Sequence, residues 1–238
     1  MVSQAEVIKQ PQPLYYPLRF RLQKDGGLRY ISHLDFVRTM TKALMRSKLP
    51  LWFTLGFNPI PKITFAAPLS VFMDSDCELM DVRMNVPVAP EVAMQALSAV
   101  LPPHLVVLEV YVPQVKLSEI GYLSYDVTIA YEGASQSHVD QATAFLASPS
   151  IVVEKKGKGD KIRQLDLKPM MASATLHFDF ETKEIHGRWV LSASSAAFMN
   201  PELLLDALRK NTGILPDENG FYRFRRREIY NPDLTLFR

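Results

Sequence analysis

The chemically densest stretch is Tyr30-Ile31-Ser32-His33-Leu34-Asp35, with an imidazole and a carboxylate two residues apart at what reads as a strand-to-helix junction. A helix start offers free backbone N–H groups and the positive end of a dipole, which suit an anion. At the first helical position that dipole lowers the pKa of His33 and favours a neutral imidazole able to accept a proton. Asp35 has two roles open to it. It orients His33 as the partner of a general base, with Asn58 or Lys62 holding substrate, or it closes a capping box with Ser32. A second stretch, Gly56-Phe57-Asn58-Pro59-Ile60-Pro61-Lys62, holds a loop in one shape with two prolines and a glycine. Phe57 on that loop either stacks a base while Lys62 holds a phosphate, or plugs the core beneath it, the commoner fate of a phenylalanine.

The basic residues have a pattern of their own. Arg38, Lys42 and Arg46 recur at i, i+4 and i+8, a single ridge on a helix. Residues 1–62 carry ten basic side chains against three acidic ones, whereas residues 74–91 reverse the sign. Lys161, Arg163 and Lys168 lie on an alternating segment whose charged face can meet an RNA backbone. A last cluster is Arg223, Arg225, Arg226 and Arg227. Basic patches of this kind suit a phosphate-rich partner, and solvated faces are the alternative for each.

The acidic run of Asp74, Asp76, Glu78 and Asp81 lacks the glycine and ligand order of a calcium loop and reads as a solvated turn, so no metal site is expected. Cys77 is the one cysteine, which forbids an internal disulfide or a cysteine-built cluster and reads as a small buried hydrophobe. No cofactor of its own is expected. His177 and His186 fall on neighbouring strands and read as surface residues. No nucleophile elbow, metalloprotease helix, phosphate loop or dinucleotide fingerprint occurs.

These groups sit on a chain of ordinary globular composition: 238 residues, 47% hydrophobic and 22% charged, with a net charge of +2. Collagen-like, disordered and disulfide-scaffold classes are excluded. No run approaches the roughly 18 apolar residues of a membrane helix and the start shows no signal-peptide core, so a cytoplasmic protein without membrane contact is expected.

The elements that must position the chemistry follow from periodicity. Residues 1–16, with Pro11 and Pro13, read as a flexible arm. Leu18, Phe20 and Leu22 alternate with Arg19 and Arg21 as a half-buried strand, and extended chain resumes at Leu28-Arg29-Tyr30-Ile31 after a glycine turn. Ser32 caps a helix running to about residue 48, with Phe36, Val37, Met40, Leu44 and Met45 inward. Short strands are expected over 51–55, 62–67 and 77–85, then a helix over 91–101 burying Val92 among others, then a strand over 105–112. That order is βαββαβ, the ferredoxin-like motif. The remainder repeats it: a strand around Tyr125 to Tyr131, a helix over 135–147, strands near 151–154, 162–167, 174–180 and 185–193, a helix from Asn200-Pro201 ending at Gly213, and a strand near 221–230. The expectation is an α+β protein of tandem ferredoxin-like halves with antiparallel sheets, spanning 17–113 and 114–238.

The series Leu28-Arg29-Tyr30-Ile31-Ser32-His33-Leu34-Asp35, Arg38, Ala43-Leu44, Leu49-Pro50 and Gly56-Phe57-Asn58-Pro59 resembles the radical SAM-associated DUF2344 family of bacteria. The likeness continues through Ile63-Thr64-Phe65-Ala66-Ala67-Pro68-Leu69, Ser75 to Glu78 and Asp81-Val82, and returns at Asp166-Leu167-Lys168-Pro169, covering roughly 17–215. The chain departs from that pattern at Ile60, where a histidine or polar residue is usual, and near Phe72-Met73, where a glycine is usual. The resemblance implies no activity. It implies a partner, a radical SAM iron–sulfur protein, and points towards tRNA or rRNA. The resulting expectation is a non-catalytic RNA-binding accessory subunit contacting RNA through Arg38, Lys42, Arg46, Phe57, Asn58, Lys62, Lys161, Arg163 and Lys168. The alternatives are an RNA- or nucleotide-directed enzyme using His33 and Asp35, and a protein-only docking adaptor.

Overall fold

A computed structural model describes residues 14–156, 162–194, 197–216 and 220–238. The first run of elements is β1 (Tyr16–Lys24), α1 (His33–Arg46), β2 (Ile63–Phe65), β3 (Asp74–Met84), α2 (Pro90–Ser98) and β4 (Leu105–Tyr111). The second is β5 (Tyr122–Ala130), α3 (Gln136–Leu146), β6 (Val152–Lys156), β7 (Ile162–Asp166), β8 (Met171–Asp179), β9 (Glu184–Ser194), β10 (Ala197–Phe198), α4 (Pro201–Thr212) and β11 (Phe221–Tyr230). The protein is a mixed α+β fold with four α-helices among the described residues.

The strand neighbours in the first run are β2-β3-β1-β4, and in the second β8-β9-β5-β11, all antiparallel. Two antiparallel sheets are expected from the sequence, and here the structure differs. A short parallel pairing of β3 with β11, at Asp74–Arg225 and Ser75–Arg226, joins both runs into one nine-stranded, mostly antiparallel sheet. β6 and β7 form a separate two-stranded ribbon.

One core lies under α1 and α2 and gathers Leu18, Phe20, Phe36, Met40, Leu44, Met80, Val82 and Leu97. The other surrounds Trp189, Tyr125, Leu204 and Phe224 and takes in Met73, Cys77 and Leu79 from the first run. Alternation explains this: β3 sends even-numbered Met80, Val82 and Met84 to one core and odd-numbered Cys77 and Leu79 to the other.

Several local expectations change. Residues 28–30 are not extended, because Gly26–Tyr30 close a 3-10 turn in which Leu28 N–H donates to Asp25 O; Ile31, whose N–H donates to Leu28 O, is extended but belongs to no strand. Residues 51–55 make only isolated bridges, Leu51 to Met84 and Phe53 to Pro61. Met45 and Val92 are exposed, on the outward faces of α1 and α2. β1 is not half-buried. Arg19, on its supposedly wet face, is fully covered, held on Asp81 at 2.6 and 2.9 Å and on Val115 O at 2.8 Å, beneath the Phe237 ring. Among the described residues no helix is long and apolar enough to cross a membrane.

Candidate functional site

The α1 start forms as its chemistry dictates. Ser32 is the cap: its Oγ accepts from Asp35 N–H at 3.2 Å and its hydroxyl donates to Asp35 Oδ2 at 2.7 Å. The other Asp35 oxygen accepts from Arg38 at 2.9 Å. The structure does not bring Asp35 to His33. The Asp35 carboxyl sits below its ordinary pKa because Ser32 and then Arg38 hydrogen-bond to the charged form. His33 instead stands edge-on to Phe65, ring centres 5.8 Å apart. Burial lowers its pKa; nearby Glu78 opposes that, and Arg226 and Lys24 reinforce it.

The ridge exists. Arg38, Lys42 and Arg46 are exposed along α1, Arg38 on Asp35 and Arg46 donating to Val100 O at 3.1 Å. Lys62 is exposed as well, but not on that side. Ile63 and Phe65 pack towards the core beneath α1, so strand alternation turns Lys62 and Thr64 to the opposite face of the edge strand β2. Between α1 and β2 the hairpin-like segment 51–61, closed by Thr54 N–H on Ile60 O at 2.9 Å and by Phe53–Pro61, carries Phe57 at its tip. Phe57 is fully exposed and plugs nothing; Leu55 is 86% exposed and Ile60 58%. Asn58 is exposed beside it.

In the second run Arg163 is exposed. Lys168 is part-buried and donates to Leu146 O at 2.6 Å, so its charge serves the C-terminal end of α3. Lys161 lies outside the described residues. His177 and His186 face each other across β8 and β9 with ring centres 5.7 Å apart. No group of three or more metal-ligating side chains occurs among the described residues.

The acidic run is not a solvated turn. It belongs to β3 at the centre of the sheet, and each carboxylate meets an arginine. Asp81 holds Arg19, Asp74 holds Arg29 at 3.1 Å, Glu78 holds Arg226 at 3.0 Å, and Asp76 takes both Arg225 and Arg227. The closing basic cluster is therefore largely spent inside the protein. Arg226 is buried, and its guanidinium also donates to Ala67 O at 2.8 Å and Pro68 O at 3.2 Å. Burial works against that charge, but Tyr125 and Glu78 more than offset it, so Arg226 stays protonated. Lys24 is buried nearby, donates to Leu28 O at 3.2 Å and lies 5.7 Å from the Phe36 ring centre. Burial lowers its pKa. The signal for this pairing was an acidic run within one strand-like segment and a basic cluster within another.

Sequence reasoning missed a cavity of about 270 Å³ where the two runs meet. Arg29, Tyr30, Phe72 and Met73 line it from the first run, and Glu202 and 220–224 from the second. Three of its aromatic side chains are unusually open to water: Tyr30 is 62% exposed, Phe72 65% and Phe221 50%, whereas Phe224 is buried behind them. Tyr30 and Phe72 stand edge to face at 5.7 Å, and the Arg223 guanidinium lies 5.5 Å from the Phe221 ring centre. Phe72 has φ +69°, the left-handed region that costs a bulky residue about 1–3 kcal/mol. Its N–H donates to Arg29 O at 2.7 Å, and Arg226 grips the same loop at Ala67 and Pro68. Glu202 is steadied by Asn200, which caps α4 by accepting from the Glu202 N–H at 3.2 Å.

Residues 17–201 match the model of a family described as an uncharacterized protein conserved in bacteria, DUF2344. No curated protein matches the chain. A chain from the crystal structure of a Cbf5-Nop10-Gar1 complex is similar with a TM-score of 0.48 at 10% identity, over 89% of this chain and 48% of that one. This chain thus spans about half the length of that chain. An unknown protein from Galdieria sulphuraria gives a TM-score of 0.25 at 13% identity, over 90% of this chain and 99% of its own. Neither likeness is deep enough to carry an argument about function.

Proposed function

This chain belongs to the DUF2344 family of uncharacterized bacterial proteins, and from that premise we propose that it is a non-catalytic, RNA-binding accessory subunit of a radical SAM enzyme acting on tRNA or rRNA. The strand orders β2-β3-β1-β4 and β8-β9-β5-β11 support reading the scaffold as two ferredoxin-like units fused through β3 and β11. The observation that carries the binding reading is Phe57. A fully exposed ring on a loop closed by its own hydrogen bonds gains nothing from folding and is presented for contact. Phe57 sits at the tip of the segment that leads into Lys62 and β2, and the exposed cations of α1 and Lys62, on opposite faces of that sheet edge, supply the charge an RNA backbone needs.

The test is RNA binding across a salt series. Affinity falls with salt, and Lys42→Glu or Lys62→Glu weakens it and flattens the log–log slope by about one unit each. Phe57→Ala weakens it without changing the slope. Binding indifferent to salt and to both charge reversals overturns the reading.

A second reading draws on Leu55, Phe57 and Ile60, three exposed apolar side chains on one loop. They suit a protein surface as well as a base, so the loop also serves to dock the partner enzyme. Nuclease-resistant co-purification of a radical SAM protein, lost in Phe57→Asp, is the expected result.

A further inference from the structure

We propose that the cavity between the two runs is a binding site for an unstacked nucleobase together with its phosphate, presented either by single-stranded RNA or by a free nucleotide. The volume, about 270 Å³, lies just under the roughly 300 Å³ at which pockets for drug-sized ligands begin. It therefore takes a group of nucleotide size and not a folded RNA. The lining matches the chemistry of such a group. Tyr30, Phe72 and Phe221 offer exposed π faces and edges, on which any base stacks. Arg223 brings a planar guanidinium fork that no carboxylate holds among the described residues, whose geometry fits phosphate oxygens, and Arg29, already held by Asp74 at 3.1 Å, lies in the same lining. Glu202 brings a carboxylate that accepts from an exocyclic amine or a ribose hydroxyl.

The backbone at Phe72 singles this cavity out. Left-handed φ is the conformation glycine adopts freely and phenylalanine does not. Packing does not account for the ring, because Phe72 is 65% exposed. The loop is nonetheless held in that conformation from both runs, by the Arg29 carbonyl and by the buried Arg226. Backbone strain kept in place to display an exposed aromatic beside a cavity marks a contact site.

This inference goes beyond RNA binding by the ridge and fails separately from it. The probe is 2-aminopurine riboside 5′-monophosphate, whose fluorescence is quenched on stacking. The expected result is saturable quenching by the wild-type protein. Phe72→Gly removes the ring while relieving the backbone, so its melting temperature holds or rises while affinity for the probe drops tenfold or more. No saturable quenching, or Phe72→Gly binding as tightly as wild type, overturns the proposal. A single-stranded oligonucleotide carrying one 2-aminopurine identifies the source. Lys42→Glu lowers its affinity and leaves the mononucleotide untouched when the base arrives on RNA. Quenching of the mononucleotide without oligonucleotide binding assigns the cavity to a free nucleotide, and overturns the RNA-binding reading alone.

Discussion

Arg226 and Glu78 stand 148 positions apart in the chain and meet at 3.0 Å, both nearly excluded from water. The contact lies beside the short parallel pairing of β3 with β11, the place where the two runs of the fold become one sheet. The same guanidinium reaches the carbonyls of Ala67 and Pro68, so one side chain ties the second run to the loop that carries Phe72.

Removing that side chain strands a buried carboxylate. Arg226→Ala is expected to cost about 3–5 kcal/mol, and Glu78→Gln a comparable amount by stranding the cation. Denaturant unfolding measures both. An Arg226→Ala midpoint within error of wild type would show that the pair contributes nothing.

His33 gives the protein a pH dependence on the acid side of neutrality. Its folded-state pKa lies below the unfolded value of about 6.5, chiefly through burial, so protons bind the unfolded chain in preference. The stability it leaves intact above about pH 6.5 is therefore eroded as pH falls through that value towards the folded pKa. Thermal melts at pH 7.5 and 5.5 should show a smaller drop for His33→Gln than for wild type. Equal drops would place the pH sensitivity elsewhere.

Cys77 is expected to be inert. Burial pushes its thiol up to about 12, leaving no thiolate near neutrality. A thiol reagent should label it only in denaturant, and rapid labelling of the folded protein would contradict this.

Gly187 is a position where no side chain fits. A Cβ there would lie 2.3 Å from the Thr175 carbonyl oxygen and 2.6 Å from Leu176 Cδ2, where β8 and β9 pair. Gly187→Ala should destabilise the protein by about 1–3 kcal/mol, read from its denaturation midpoint. An unchanged midpoint would mean that β8 gives way freely.

What the sequence determined by itself is local. The α1 cap at Ser32, the inward positions Phe36, Met40 and Leu44, the α4 start at Asn200 and its stop at left-handed Gly213 all follow from hydrogen bonds and periodicity within a few residues. The order of strands and helices was legible for the same reason. The 3-10 turn at Gly26–Tyr30 was not, because its residues are compatible with either an extended or a turned backbone. Tertiary structure alone decided the fate of charge and of aromatics. Asp76 and Glu78 read as a wet turn until β11 arrives alongside to neutralise them, and Arg225 to Arg227 read as an open patch until β3 does the same. Phe57 and Phe72 carry identical side chains in loops, and nothing local distinguishes a buried ring from an exposed one. Their exposure depends on which segments, tens to hundreds of residues away, come to cover them, and none of the described residues does. The cavity at Phe72 exists only because Arg29, Glu202 and Arg223 are brought to one place by the joining of the two runs.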